Sequence, residues 1–244
     1  MKIGIDARFY GGEQSKGLGR YTQKLVEHLA QLDTKHRYVI FLQEQQFRAW
    51  NIANPRFTPV CAPYRWYTLA EQVFMPGVIA RSGVDLMHFP HFNVPLLYRG
   101  PFVVTIHDLI ILHFPTERAT TLGPLLYKGK HFAGLLVLRH AARHAKKIIT
   151  VSDYSKKDII NTLHCDPSRI AVTYEGIDHT VLATSTAHNA ETLRRYHITE
   201  PYFLYVGNAY PHKNLESLLM ALQRIQKTET LSFRIVMVGR EDYF

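Results

Sequence analysis

Residues 1–32, MKIGIDARFYGGEQSKGLGRYTQKLVEHLAQL, contain the pattern that decides the fold. The segment Lys2–Asp6 is a short apolar run, as in a buried strand, and Leu18–Gln31 has a helical pattern. The loop between them contains Gly17 and Gly19. A strand, a glycine-containing loop and a helix in this order predict the first βα unit of a parallel sheet.

The same alternation continues along the chain as far as Val172. It predicts βαβ units, and therefore a doubly wound, mostly parallel sheet of the Rossmann-like α/β class with helices on both faces. The further strands expected are Tyr38–Leu42, Asp85–Phe89, Phe102–Ile106, Lys147–Val151 and Arg169–Val172, and the further helices are Leu69–Ser82, Thr120–Ala145 and Asp153–Leu163.

The pattern changes after Val172. Residues Glu175–Glu200 have no strong hydrophobic period and are rich in Thr, Ser, Ala and His, which is typical of a connection between domains. A strand at Tyr202–Val206, a helix at Asn214–Gln226 and a strand at Phe233–Val238 then form one βαβ unit. Domains of this class usually have ~100–150 residues, so we expect only the start of a second domain. The expected division is 1–175 for the first domain, 176–200 for the connection and 201–244 for the incomplete second domain.

Composition limits the function only loosely. The 244 residues are 46% hydrophobic and 20% charged, as in a globular protein, and the formal net charge is +9. This charge suits nucleic acid, an anionic membrane surface or a phosphorylated substrate. A nucleic-acid-binding module is the non-enzymatic alternative, but the sequence has no recognisable reading motif. Cys61 and Cys165 lack metal-ligand spacing, and we interpret them as reduced thiols of a cytoplasmic protein.

The predicted helix Thr120–Ala145 has two different faces. At ~100° per residue, basic side chains fall on one face and small apolar side chains on the other. We favour a helix packed on the sheet, with contact to a membrane surface as the alternative. The basic set is Arg139, His140, Arg143, His144, Lys146 and Lys147, and the apolar set is Leu138, Ala141, Ala142 and Ala145.

Gly17 and Gly19 form the first of three stretches suited to ligand chemistry. They let the backbone approach a ligand at the start of a helix, whose free N–H groups suit a phosphate or a sugar. An ordinary flexible loop is an equal alternative. In a dinucleotide fingerprint the glycines follow the strand immediately, and a third glycine stands where this chain has Thr22. A Rossmann-type sugar-nucleotide epimerase or dehydrogenase is therefore a poorer interpretation.

The second stretch is Val103–Leu109, in which His107 and Asp108 follow a predicted strand. Open parallel sheets bind ligands at this end of their strands. His107 can donate to a sugar hydroxyl or a phosphate, and Asp108 can orient it or cap the next turn. A purely structural histidine is the alternative. The preceding strand argues against a metal-dependent phosphohydrolase, which uses His-Asp pairs on an all-helical scaffold.

The third stretch is Tyr205–Leu215, which contains Gly207 in a loop and Lys213 at the predicted start of a helix. An ammonium group and free helix N–H groups can together hold a diphosphate. A solvated lysine is the alternative, but a cation is mildly unfavourable at a helix N-terminus, which favours a ligand.

Three aromatic residues, Tyr64, Trp66 and Tyr67, lie close together before a predicted helix. Their rings can offer an aromatic contact to a sugar ring. For Trp66 at least, we favour burial in the core over this contact.

Together these stretches resemble the family 4 glycosyltransferases, retaining enzymes of GT-B fold that include many bacterial mannosyltransferases. Seven matching segments occur in the family's order and cover essentially the whole chain, and their order is more specific than any one of them. The segments are Ile3–Ala7 with Gly17–Tyr21, Trp66 with Glu71–Gln72, Asp85–Pro90, Thr105–Leu109, Val151–Ser155, Glu175–Asp178 and Val206–Leu215.

The resemblance implies transfer of a sugar, preferably mannose-like, from a GDP- or UDP-sugar to a glycan, lipid-linked or phosphorylated acceptor, as in cell-surface polysaccharide assembly. Reaction on one face of the sugar, with the leaving phosphate helping to deprotonate the acceptor, would retain the configuration without a protein nucleophile. The expected enzyme has no cofactor, no metal and no nucleic-acid partner. Its expected location is cytoplasmic, with peripheral contact at the inner membrane face.

The resemblance also gives individual residues expected roles. His107 and Asp108 are the expected catalytic residues, with His107 contacting the transferred sugar. Two further sets would hold the donor diphosphate and sugar and line the acceptor side. The donor set is Gly17, Gly19, Asn208 and Lys213, and the acceptor set is Arg20, Tyr21 and Trp66.

The chain departs from the family pattern in two ways. Asn208 stands where many relatives have an Arg, so half of the usual cationic clamp is missing or replaced. The family's paired glutamates, which bind donor ribose and sugar, would lie beyond Phe244. We therefore expect the 244-residue chain to have little or no transferase activity by itself.

Overall fold

The structure, a computed structural model, describes five stretches of the chain: residues 1–11, 17–115, 123–177, 186–228 and 233–239. The chain divides into two compact units. The first unit is Met1–Leu109 with Gly129–Tyr174, and the second is Ile110–Lys128 with Glu175–Phe244.

The described residues of the first unit form a seven-stranded sheet in which every neighbouring pair is parallel. The strand order is β3-β2-β1-β4-β5-β6-β7, so the chain changes direction across the sheet at β1. The fold class expected from the sequence is confirmed. The strands are β1 (Lys2–Asp6), β2 (Arg37–Leu42), β3 (Phe57–Cys61), β4 (Leu86–Phe89), β5 (Phe102–Thr105), β6 (Lys147–Thr150) and β7 (Ile170–Val172), followed by β8 (Tyr202–Val206) and β9 (Arg234–Val238) of the second unit.

Helices connect most of the strands. Thr68 caps one of them by accepting from the backbone N–H of Glu71, and Ser152 caps another by accepting from that of Ser155. The helices are α1 (Gly17–Leu32), α2 (Glu44–Arg48), α3 (Leu69–Arg81), α4 (Ile110–His113), α5 (Pro124–His144), α6 (Asp153–Leu163), α7 (Thr186–Arg195) and α8 (Leu215–Thr228), with short 3-10 helices at Pro167–Arg169 and Pro211–Lys213.

The core of the first unit is built from strand residues and the inner faces of the helices. Strand residues such as Ile5, Ile40 and Val104 are fully buried, and burial of one such side chain contributes roughly 1.5–3 kcal/mol. The small apolar face of α5 is also buried, which confirms that this part of the helix packs on the protein. The buried residues of that face are Leu138, Ala141, Ala142 and Ala145.

Strand β3 and helix α7 are among the elements that were not expected from the sequence, together with the short helices α2 and α4 and the two 3-10 helices. Strand β3 contains Pro59 and pairs only with β2, at the edge of the sheet, where a proline is tolerated although it weakens the strand pattern. Helix α7 lies within the segment expected to be an irregular connection. Its described side chains are almost all exposed, so it has no apolar stripe that a sequence pattern could reveal.

The described part of the second unit contains a single βαβ arrangement, with β8 parallel to β9 and α8 between them in sequence. The Gly207 N–H donates to the Val238 carbonyl over 2.9 Å. A Cβ at Gly239 would clash with the Gly207 carbonyl oxygen. The backbone segments after β8 and β9 therefore approach more closely than any residue with a side chain would allow. Apolar side chains of both strands are exposed, including Phe203 and Val206.

Membrane-spanning character is absent from the described helices, since none of them is both long and apolar enough to cross a bilayer.

Candidate functional site

The site lies where the parallel strands of the first unit end. The chain leaves β1, β4, β5 and β6 at the same edge of the sheet, because all four run in the same direction. Four loops therefore meet there, and they carry Arg8, His91, His107 and Ser152. This is the edge at which open α/β sheets bind ligands.

His107 is held in one orientation from both its ring and its backbone. Its Nε2 lies 3.0 Å from the Pro90 carbonyl oxygen. Because a carbonyl can only accept, Nε2 carries the proton and donates. The hydroxyl of Ser155 donates to the His107 carbonyl over 2.9 Å, and that of Thr150 donates to the Ile106 carbonyl over 2.7 Å. The strand end on which His107 stands is therefore fixed on two sides.

Ser155, for which the sequence predicted no role, contacts the loop that carries His107. It lies in the first turn of α6, is buried, and its N–H donates to the capping Ser152 hydroxyl over 3.1 Å. Its own hydroxyl reaches His107. The Val151–Ser155 segment therefore connects a helix cap to the candidate catalytic loop. The only sequence signal for this was its place among the segments that resemble the family.

Helix α1 brings its glycine-containing start to the same edge. Gly17 is the first residue of the helix and exposed, and Gly19 is buried in its first turn. Tyr21, one turn after Gly17, packs its ring edge-on against His107 with ring centroids 4.7 Å apart. The start of α1 and the loop after β5 are thus brought together by this ring contact.

Two further histidines surround His107. The His88 Nε2 lies 2.9 Å from the Thr105 hydroxyl, which is 3.4 Å from the Tyr21 hydroxyl. Burial, with a smaller contribution from the charge of His107, lowers the pKa of His88 to about 4 and that of His91 to about 3. Both rings are neutral at pH 7, so they act as hydrogen-bonding groups beside His107 and not as cations.

A buried charge network lies beside these histidines. The Arg8 guanidinium binds both oxygens of Asp6, at 2.7 and 2.6 Å, and Glu71 at 2.5 Å. The side chains of Arg8 and Glu71 are completely buried. Burial lowers the pKa of Arg8, but the two carboxylates more than reverse this and raise it above its ordinary value. Burial raises the pKa of Glu71, and Arg8 opposes that rise.

The network connects three loops. Arg8 donates to the Tyr64 carbonyl over 2.9 Å, and Glu71 accepts from the Tyr67 N–H over 2.8 Å. Asn93 donates to Glu71 over 2.6 Å. The loops after β1, before α3 and after β4 therefore all contribute groups to one buried, hydrogen-bonded ion-pair cluster. The sequence did not predict this cluster, because Glu71 and Asn93 lie far from Asp6 and Arg8 in the chain.

The remaining predicted residues of the first unit lie at or near this edge. Arg20 is exposed in the first turn of α1, and Asp108 is exposed just before α4. Trp66 is half-buried and stacks on Phe9, with ring centroids 4.3 Å apart. The core burial considered for Trp66 is thus only partial.

The predicted donor residues of the second unit lie around the end of β8. Asn208 is half-buried, and among the described residues its Oδ1 has no hydrogen-bond partner. Lys213 is exposed and ends the 3-10 helix Pro211–Lys213. The expectation that Lys213 lies in the first turn of the α-helix was wrong, because Asn214 takes a left-handed conformation and α8 begins after it.

Some predicted features lie outside the described residues. They are residues 12–16 of the loop before α1, residues 120–122 of the predicted helix Thr120–Ala145, Asp178 with the rest of 178–185 in the predicted connection, and residues 229–232 and 240–244 of the predicted second domain. Within the described stretches, no group of three or more His, Cys, Asp or Glu side chains could hold a metal ion.

Comparison with known proteins gives a family match. A sequence model of Glycosyltransferase Family 4 matches residues 15–181, more than half of the chain. The matched segment contains Gly17, Gly19, His107 and Ser155.

Two curated relatives are mannosyltransferases by name. O-antigen chain mannosyltransferase RfbU of Salmonella typhimurium is 25% identical over 193 residues, which are 79% of this chain and 47% of the relative. O-antigen chain mannosyltransferase B of Escherichia coli is 28% identical over 156 residues, which are 63% of this chain and 38% of the relative. This chain spans less than half the length of either.

Two solved structures share the fold. WaaG, a glycosyltransferase involved in lipopolysaccharide biosynthesis, superposes with a TM-score of 0.62 at 13% identity, over 98% of this chain and 64% of WaaG. Anabaena HepE, solved with UDP and glucose, superposes with a TM-score of 0.53 at 14% identity, over 100% of this chain and 70% of HepE. At such identities the likeness concerns the fold alone.

Proposed function

The chain belongs to glycosyltransferase family 4, and from this premise we propose that it carries the acceptor-side half of a retaining hexosyltransferase. The enzyme would move a mannose-like sugar from a GDP- or UDP-sugar to a glycan or lipid-linked acceptor in the assembly of a cell-surface polysaccharide. The names of both curated relatives favour mannose and a polysaccharide product. The UDP and glucose bound to HepE favour a nucleotide-sugar donor.

The observation that carries the proposal is the fixed position of His107 at the ligand-binding edge of the sheet. Its ring is tied to the Pro90 carbonyl and its backbone to Ser155. A ring held in this way can contact a sugar hydroxyl or a phosphate oxygen without reorganising during the reaction. Preorganised contacts of this kind supply much of the rate enhancement in group transfer.

The start of α1 is the proposed place for the donor diphosphate near His107. A helix N-terminus presents free N–H groups and a partial positive charge to an anion. A Cβ placed on Gly17 would meet no atom within 4 Å, so packing of the described residues does not require glycine there. Close approach of a ligand to the backbone is a reason for glycine at this position.

The second unit would supply the other donor contacts. Lys213 is exposed and can place its ammonium group against a diphosphate, and Asn208, whose Oδ1 has no hydrogen-bond partner among the described residues, is the second proposed donor contact. The proposed reaction proceeds on one face of the sugar, with the leaving phosphate taking the acceptor proton. It uses no protein nucleophile, cofactor or metal.

We further propose that the protein is cytoplasmic and contacts the membrane peripherally. Phe132 and Leu136 are exposed on α5, and the exposed Arg139 lies on the same helix within one turn of Leu136. A basic residue and apolar residues on one helix face favour binding to an anionic bilayer. Sedimentation with anionic vesicles, and its loss on Phe132→Ser, tests this proposal.

The transferase proposal is tested by the release of nucleoside diphosphate from GDP- and UDP-sugars. The assay uses this chain joined to a complete second domain from one of the curated relatives, beside the 244-residue chain itself. We expect turnover from the joined protein and little or none from the 244-residue chain. His107→Ala should lower the rate about 100-fold or more, while His28→Ala, an exposed histidine of α1, should leave it unchanged.

Equal rates for the two histidine variants would refute the role of His107. Product with inverted anomeric configuration, measured by NMR, would refute the retaining mechanism.

A further inference from the structure

An aromatic surface lies directly beside His107. It consists of the rings of Phe9, Trp66, Tyr67 and His91, here called the aromatic platform. Phe9 stacks on Trp66 with centroids 4.3 Å apart and 27° between the rings, and it meets His91 edge-on at 5.7 Å. The Tyr67 hydroxyl lies 2.6 Å from the His91 Nε2. The rings thus form one continuous group.

The platform is linked to the candidate catalytic site by neighbouring residues of the chain. His91 follows Pro90, whose carbonyl oxygen accepts from the His107 ring. A molecule lying on the platform would therefore have one end beside His107. The platform is thus within reach of an acceptor that reacts beside His107.

Buried charges hold the loops of the platform in place. Arg8 binds the Tyr64 carbonyl, and Glu71 binds the Tyr67 N–H, so the loop that carries Trp66 is held at both ends. Buried ion pairs seldom increase stability over apolar packing, and ordering of a defined conformation is one reason to retain them. Here the cluster fixes main-chain groups on either side of Trp66.

Tyr67 has a strained backbone that presents its ring to solvent. Its φ is 61°, in the left-handed region, which costs a residue with a side chain about 1–2 kcal/mol. Glu71 holds its N–H and His91 meets its hydroxyl, while 54% of the residue stays exposed. Strain of this kind persists mainly where it serves a site.

The chemistry of the platform suits a sugar ring. Stacked aromatic faces carry partial negative charge and attract the C–H groups on the apolar face of a pyranose. The Tyr67 hydroxyl adds a polar group at the side of the rings for a sugar hydroxyl, and the His91 Nε2 holds it in place over 2.6 Å. Apolar faces with a few fixed polar groups are the usual composition of a small-ligand site.

We infer that Phe9, Trp66, Tyr67 and His91 form a subsite for a pyranose ring of the acceptor, stacked on the aromatic platform beside His107. The inference rests on the proposed function and deepens it. It names a carbohydrate as the part of the acceptor that binds there, and it assigns Phe9, Tyr67 and His91 to the same subsite as Trp66.

The test is ligand-observed NMR of the 244-residue chain with methyl α-mannopyranoside and methyl α-glucopyranoside. Saturation transfer to the ring C–H protons of at least one glycoside is expected. Trp66→Leu should weaken its binding about five- to tenfold, the loss expected for one stacked ring, and Tyr67→Phe by a smaller factor. The matched control is Trp50→Phe, which alters the other tryptophan, packed with Tyr10 beside the core.

Each outcome decides the inference separately from the proposed function. No binding of either glycoside, or equal binding by the Trp66→Leu and wild-type chains with equal melting temperatures, would overturn the subsite. With octyl α-mannopyranoside, saturation of the alkyl chain alone would overturn it in favour of a lipid contact. If Trp66→Leu does not fold, unchanged binding by Tyr67→Phe and by Phe9→Leu would also overturn it. Transferase activity of the joined protein is measured independently, so loss of the subsite leaves that proposal standing.

Discussion

The two units of this chain differ in which residues they bury. At the ligand-binding edge of the first unit, charged residues such as Arg8 and Glu71 are completely buried and bind one another. In the second unit the ion pair between Arg234 and Glu200 is exposed, with a separation of 3.3 Å, and apolar strand residues such as Val206 face solvent. The comparison shows that buried ion pairs and hydrogen bonds fix the conformation of the first unit. The described part of the second unit buries few side chains and so has few contacts of this kind.

The largest expected effect comes from breaking the buried ion pair. Glu71→Gln leaves Arg8 buried with one carboxylate, so the free energy of unfolding of the first unit should fall by about 3–5 kcal/mol. Glu200→Gln, the same change in the exposed pair, should alter stability by less than about 1 kcal/mol. Urea denaturation, followed separately for the two units by hydrogen exchange, measures both values. Similar losses from the two variants would remove the contrast between the units.

The next effect is a dependence of stability on pH in the first unit. The folded pKa of His88 is about 4, below the ordinary value of 6.5, so the unfolded chain binds more protons between these values. Stability is therefore full above pH 6.5 and declines as the pH falls towards 4, by about 3 kcal/mol for this group. His91 acts in the same direction.

Replacement of His88 by Gln should flatten this decline, while His28→Gln, an exposed position on α1, should not. Denaturation at a series of pH values measures the slopes. An unchanged slope for His88→Gln would show that this histidine does not titrate in the way the burial implies.

The smallest effect expected is that of Ser155→Ala. Loss of one hydrogen bond to the His107 carbonyl should lower stability by about 1 kcal/mol. The transferase rate of the joined protein should fall several-fold with the donor KM unchanged, because His107 loses part of its fixed position. Ser217→Ala, on an exposed turn of α8, is the control and should change stability by less than about 0.5 kcal/mol. A rate as high as that of the control would limit Ser155 to a structural role.

The fold could be predicted largely from local patterns, and its exceptions have local causes. Strands buried on both faces are apolar runs, so β1, β2 and β5 were visible in the sequence. Strand β3 was hidden by Pro59, and α7 by its lack of an apolar face. The close contact of Gly207 with Gly239 follows from the pairing of two strands and has no local signal.

The candidate site could be predicted only in part. The place of His107 followed from the strand before it, since strand ends in a parallel sheet mark the ligand-binding edge. The ties that fix it did not, because Pro90 and Ser155 are 17 and 48 residues away in the chain. Glu71 was noticed as part of a family segment, but its partner Arg8 lies 63 residues earlier. Long-range polar contacts of this kind leave no periodic pattern in the sequence.

Pro59 has a consequence for how this protein behaves at high concentration. Along β3 and its flanking residues, the backbone N–H and C=O groups of even-numbered residues point towards β2. The Tyr38 N–H donates to the Arg56 carbonyl, and the Ala62 N–H donates to the Leu42 carbonyl. Pro59 therefore turns its nitrogen outward, where it costs no hydrogen bond within the sheet. A strand from another molecule that tried to extend the sheet would find no donor at that point. The proline thus disfavours self-association and aggregation through the β3 edge of the sheet.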